Sequence, residues 1–188
     1  DIDGPLNNAL DDALDWVADK GDKNMISAVS QRLHHQDARV RVNAVRALGR
    51  IASEGDVHVI NSLISRLRDP QSEVRFSALV ALSLVSHRGE PNVLCAMRAC
   101  LEDWHSNVRA GAVHGLVLVA KQGDTSIKDA LVSCLMDHDA QVRWSAIHGL
   151  QTCFNEHDDQ TIVAMQARLE DSNPDVQKAA ISFLSDVG

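Results

Sequence analysis

The sequence predicts an all-α fold, a right-handed α-solenoid of stacked antiparallel helix pairs, and three observations carry that prediction. The first is a 34-residue period, marked by Val40-Arg41, Val74-Arg75, Val108-Arg109, Val142-Arg143 and Val176-Gln177. Each Val is followed four residues later by alanine and eight residues later by leucine, and a further leucine stands seven residues before it. The second is punctuation at the same spacing: Gly21, Gly55, Gly89 and Gly123, with His157 in the fifth slot, each followed by an acidic residue. The third is apolar spacing between these marks, such as Ile60, Leu63, Ile64 and Leu67, which fits helices and not strands. A fixed period of this length takes precedence over domain counting from length.

The period divides the chain into units 22–55, 56–89, 90–123, 124–157 and 158–188, preceded by a half unit, 1–21. Residues 1–188 therefore read as a single array of about eleven helices. In the half unit, Leu6, Leu10, Leu14 and Val17 occupy the slots of Val40, Ala44, Leu48 and Ile51, and Asp3, Pro5 and Gly21 suit the start and end of one helix over 4–20. In unit 56–89 the first helix is expected over 57–68 and the second over 72–86, joined by a turn at Asp69-Pro70 too short for anything but an antiparallel pair. The recurrent glycine is expected to take the left-handed turn after each second helix, with Asp22, Asp56, Asp124 and Asp158 capping the next first helix. A chain that begins at Asp1, without initiator methionine and midway through a unit, reads as a processed form or a fragment of a longer array.

Composition narrows the partners. A formal net charge of −8 disfavours a phosphate backbone or an anionic membrane surface, and no apolar run approaches the ~20 residues of a membrane span. The expected partner is a protein, presenting a helical or extended segment; nucleic acid and direct membrane insertion are not expected. With 45% hydrophobic but 3% aromatic residues and no tyrosine, the core must be aliphatic. Cys95, Cys100, Cys134 and Cys153 show no C-x-x-C spacing, so buried free thiols are expected, in a soluble protein of a reducing compartment, cytoplasmic or organellar.

The unit resembles the HEAT repeat, particularly its shorter phycobilisome-lyase-type relatives, which carry an Asp in the inter-helix turn and Val-Arg opening the second helix. Asp69/Val74/Arg75, Asp103/Val108/Arg109 and Asp137/Val142/Arg143 match; His35 and Gln177 depart from the pattern. The resemblance implies that Asp and Arg form structural ladders, a guanidinium bridging its own unit's Asp and the next. The tetratricopeptide repeat shares the length, but its Trp, Tyr, Phe and Gly-Tyr contacts are missing.

On each second helix, counting the Val as zero, positions 0, 4, 7, 8 and 11 form a core arc, and positions 2, 6, 9 and 13 an outer arc expected to line a concave face. That arc yields a candidate partner-binding set of Phe76, Val80, His114, Val117, Trp144 and His148, with a basic partner segment expected to meet the acidic surroundings. The alternative is that curvature half-buries position 2 against the next unit. Trp104, in a turn, is a possible second contact or else a cover over a seam between units.

No catalytic, cofactor or metal site is read. His114 and His148 lack the further ligands a metal needs, and there is no His-Glu dipeptide of the kind that binds iron in deoxyhypusine hydroxylases, no G-x-S-x-G and no phosphate loop. The sequence thus reads as a non-catalytic scaffold, an accessory or assembly subunit of a larger complex. The resemblance leaves a second reading, a phycobilin lyase-like protein or chromophore-protein chaperone, with Arg46, Arg50, Lys121 and Lys178 meeting the propionates of a tetrapyrrole. An idealised designed repeat is disfavoured by the irregular Met97, Cys100, Cys134 and Met165.

Overall fold

The computed structural model describes residues 20–153 and 159–187, with side chains described as far as residue 185. The helix expected over 4–20, and the slots of His157 and Asp158, lie outside the described residues apart from Lys20. Among the described residues the fold is all-helical, without strands. In chain order the α-helices are α1 (Lys23–Arg32), α2 (Ala38–Ile51), α3 (Val57–Arg66), α4 (Ser72–Val85), α5 (Pro91–Ala99), α6 (Ser106–Val119), α7 (Thr125–Cys134), α8 (Ala140–Cys153), α9 (Asp159–Gln166) and α10 (Pro174–Val187). A 3₁₀ turn, Cys100–Glu102, extends α5. The helices fall into two compact units that divide between Ala96 and Met97.

In the first unit, Asp22 and Asp56 start α1 and α3 by accepting backbone N–H bonds, at 2.8 and 3.2 Å from Asn24 and Met25 and at 3.0 and 3.1 Å from His58 and Val59. These bonds satisfy donors that the first helical turn leaves without intrahelical partners. The core arc of α4 is fully buried through Val74, Ala78, Leu82 and Val85, and it packs against α2, whose Val45 and Leu48 are fully buried as well. Each such Leu or Val contributes about 1.5–3 kcal/mol on burial.

The recurrent glycine does something other than stop a helix. α2 ends at Ile51 with Ala52 in an extended cap, three residues before Gly55. Gly55 instead directly precedes the N-cap Asp56, at φ +80°, and its N–H donates to the last carbonyl of α4, Val85, at 2.7 Å. Gly21 repeats the device with φ +92° and a 2.7 Å bond to Ile51. A positive φ there favours glycine, and each turn is thereby tied to the second helix of the following pair.

The second unit follows the same plan. Asp124 caps α7 through Ser126 and Ile127 at 3.0 and 3.3 Å. Val108, Ala112 and Leu116 of α6, Val142, Ala146 and Leu150 of α8 and Val176 and Ala180 of α10 are fully buried, with Phe183 the large ring among them. Gly149 lets α6 approach α8, since a Cβ there would stand 2.7 Å from Val117 Cγ2 and 3.2 Å from Leu131 Cδ1. The leucine seven residues before each Val is not uniformly core: Leu33, Leu67 and Leu135 are buried, but Leu101 is half-buried and Leu169 exposed.

Candidate functional site

Two sets of recurring residues are candidates, and burial separates them. The Asp and Arg residues turn inward. Arg41 donates Nε and Nη2 to the two carboxylate oxygens of Asp69, both at 2.8 Å, and both side chains are buried. Arg109 with Asp137 repeats this fork at 2.7 and 2.7 Å, and Arg143 with Asp171 at 2.8 and 2.6 Å. The remaining guanidinium nitrogen, Nη1, reaches the chain's own inter-helix turn, where it bonds backbone carbonyls and not the carboxylate: His35 and Gln36 for Arg41, Asp103 and Trp104 for Arg109, Asp137 and His138 for Arg143. Arg75 reaches the Asp69 and Pro70 carbonyls in the same way. The expected side-chain bridge within one unit is therefore corrected to a main-chain one. His35 fits the turn because its carbonyl serves Arg41 as the others do, while its ring Nδ1 stands in for the Asp carboxylate and accepts the Asp37 N–H at 3.0 Å.

Burial opposes the charge on Asp69, Asp137 and Asp171, but the arginine hydrogen bonds, with backbone N–H bonds from Gln71, Asp139 and Asn173, prevail and hold these carboxyls below the ordinary range. The hydrogen bonds they donate to the carboxylates raise Arg41, Arg109 and Arg143 above theirs. Two arginines that the sequence reading passed over reinforce the joints. Arg66 donates to the α1 cap carbonyl of Leu33 at 2.8 Å and lies 3.9 Å from Asp69; Arg168 donates to Leu135 at 2.9 Å and lies 3.7 Å from Asp171. Their equivalent place in the period was the available signal, and each puts a cation at a helix C-terminus.

The second set faces outward. In the first unit Phe76, Val80 and Leu84 form one row along α4, 39%, 44% and 57% exposed. In the second unit Trp144 is 37% exposed and lies against His148, ring centroids 4.0 Å apart and planes inclined by 59°, while His114 is exposed on α6. Trp144 and His148 line a groove of about 590 Å³ between α8 and α10, with Gln141, Asn173, Asp175 and Lys178. Trp104 is 78% exposed, with His105 edge-on at 6.1 Å.

Val117 is corrected: it is buried, because Gly149 lets α6 and α8 close over it and its carbonyl accepts from Cys153 Sγ at 3.4 Å. Val42, at position 2 of α2, is buried too. The outer arc is centred on positions 2, 6 and 10 instead of 2, 6 and 9, which brings in Leu84 and Leu118. A second helix packs against its own first helix and against neighbouring second helices, so its buried arc is wider on one side than a single interface implies. The outward residues carry both signs of charge: in the second unit they include His114, Lys121, His148 and Lys178 together with Asp175, while Asp137 and Asp171 are turned into the joints.

Cys100, Cys134 and Cys153 are buried free thiols, and burial pushes Cys134 up to about 12; Cys95 is exposed, against expectation. Among the described residues no group of three His, Cys, Asp or Glu is placed to hold a metal ion, and no helix is long and apolar enough to cross a membrane.

Paired helices, inward ion-pair joints and outward apolar rows define a helical-repeat scaffold. The chain belongs to the HEAT-repeat family, which it matches over residues 11–83 and again over 26–117. No curated protein matches it. Among solved structures it is similar to Escherichia coli YibA, with TM-score 0.75 and 19% identity over 88% of this chain and 60% of that one. It is also similar to a designed armadillo repeat protein in complex with the peptide (KR)4, with TM-score 0.65 and 18% identity over 87% and 82% of the two chains. A third likeness is to a chain of the S. pombe condensin Cnd3–Cnd2 subcomplex, with TM-score 0.72 and 22% identity over 85% of this chain but 23% of that one. The chain thus spans less than two thirds of the YibA chain and about a quarter of the condensin chain. These likenesses carry the armadillo/HEAT fold; the phycobilisome-lyase subtype has no support among them.

Proposed function

We propose that residues 1–188 form one HEAT-repeat array that acts as a non-catalytic scaffold, an accessory or assembly subunit that holds protein partners on the outward faces of its second helices. The observation that carries this reading is the alignment of large apolar and aromatic side chains on those faces: Phe76, Val80 and Leu84 in one row in the first unit, and Leu118 and Trp144 in the second, all exposed. Rings and branched chains left in water on a rigid helical surface are what interfaces bury first. The Asp–Arg joints support the same reading, because their polar groups are consumed in fixing helix positions and leave the outward rows free to recognise a partner. A designed armadillo protein of similar fold was solved in complex with a peptide, and a similar condensin chain within a subcomplex.

The test compares proteins captured from source cells by the native chain and by a Trp144→Ala/His148→Ala variant, with circular dichroism to show that the variant folds. A defined protein retained by the native chain and lost by the folded variant supports the reading. Equal retention by both refutes the outward face of α8 as a binding site, and metal-dependent or pigment-dependent turnover in the purified chain refutes the non-catalytic assignment.

A further inference from the structure

We propose that the outward face of the first unit receives an amphipathic helix of a partner protein, apolar on one side and acidic along one flank. The inference rests on the scaffold reading and specifies the partner's chemistry.

The apolar part of this face is the row Phe76, Val80, Leu84. These residues are four apart along α4, so they stand in line over two turns, about 12 Å. The cationic half lies on α2, where Arg46 and Arg50, also four apart, are exposed. The helices that carry the two rows are in contact. Leu84 Cδ1 would lie 3.7 Å from a Cβ on Gly49, the residue before Arg50 in sequence, and Arg46 Nη2 lies 3.6 Å from Glu73 at the start of α4. The Arg46–Glu73 contact joins two well-exposed groups, so it contributes little and exchanges readily for a partner carboxylate.

A protein of net charge −8 that lines an apolar row with two arginines selects for negative charge at that flank. The spacing selects for a helix. Arginines four apart on a helix stand about 6 Å apart, the spacing of glutamates four apart on a partner helix, and an apolar row over two turns matches anchors at i, i+4 and i+7. An extended segment would bring unpaired backbone groups against side chains that offer an apolar surface, whereas a helix satisfies its own.

The probe is a fluorescein-labelled helical peptide of about 18 residues, long enough to hold a helix, with leucines on one face and glutamates on its flanks. Its twin carries lysines in place of the glutamates. Both are titrated into the full chain and followed by anisotropy. The glutamate peptide is expected to bind about ten-fold more tightly than the twin, with the difference shrinking in high salt. Arg46→Gln/Arg50→Gln is expected to abolish the preference and Arg46→Glu/Arg50→Glu to reverse it. Leu84→Asp should weaken both peptides, and Val163→Ala, on the first helix α9 of the second unit, should leave them unchanged. The proposal is overturned by equal binding of the two peptides, or by a preference that survives Arg46→Gln/Arg50→Gln. It is also overturned by a self-associated chain that Leu84→Asp converts to monomer, which would make a second copy the occupant, or by a linear tetrapyrrole that saturates the site and displaces the peptide. Loss of the scaffold reading would show differently, as cell-derived proteins retained equally by the native chain and by Trp144→Ala/His148→Ala.

Discussion

Replacing Asp69 by asparagine should destabilise the protein by about 3 kcal/mol, near the low end of what breaking a buried ion pair costs. The carboxylate accepts from Arg41 Nε and Nη2 at 2.8 Å each and from the Gln71 N–H at 3.0 Å, with Arg66 3.9 Å away. Asparagine keeps the shape but presents an NH₂ group to one guanidinium donor, so one N–H of a buried cation is left without an acceptor and the countercharge is gone. The loss stays near the lower bound because Arg41 Nη1 keeps its bonds to the His35 and Gln36 carbonyls. Urea unfolding followed by circular dichroism measures the change, and Arg41→Met with Asp69→Leu provides the internal control. Paired apolar replacement of a buried ion pair is often close to neutral, so the double variant should be more stable than Asp69→Asn alone. A loss under about 1 kcal/mol for Asp69→Asn, or a double variant less stable than it, would refute the joint as a desolvated, mutually dependent pair.

The same joints set an acid limit. Asp69, Asp137 and Asp171 have folded values below their unfolded value of about 3.9, so their contribution is complete above that and is lost as pH falls through the folded values. Thermal melts should shift little between about pH 5 and 8 and fall steeply below about pH 4, with a shallower acid limb in Asp69→Asn. Gly123→Ala should cost about 1–2 kcal/mol in urea unfolding from the left-handed backbone alone, since φ is +79° and nothing lies within 4 Å of the added Cβ; a neutral result would contradict the turn geometry. A thiol reagent under native conditions should modify Cys95 rapidly and Cys100, Cys134 and Cys153 only on unfolding, because burial shields these three and also raises the Cys134 thiol; a fast second equivalent would contradict their burial.

The architecture was legible because it is written in side chains that repeat. Val74, Ala78 and Leu82 fall on one arc whichever unit is read, and the buried residues follow it. The joints were half legible: the recurrence of Asp and Val-Arg showed which residues pair, but the third contact of each arginine is to a carbonyl, which every residue carries and no sequence pattern marks. The glycine was legible as a conformational need and misplaced by three residues, since its N–H partner, Val85 for Gly55, sits in the following helix pair. The candidate site was the least legible. Positions 9 and 10 differ by one step around a helix, and which of them meets water depends on how closely neighbouring helices approach, a distance set here by Gly149 against Val117 and by Gly49 against Ala81. That step buried Val117 and exposed Leu84 and Leu118.

The central claim is that partners meet the outward faces of the second helices, and site-specific photo-crosslinking tests it most directly. A photoreactive side chain placed at Phe76, Val80 or His148 compares those faces with Val57 and Val163, which are more exposed than Phe76 and Val80 but belong to first helices. The account predicts crosslinks to a discrete partner from the first three positions and none from the last two. Crosslinks confined to Val57 and Val163 would contradict it.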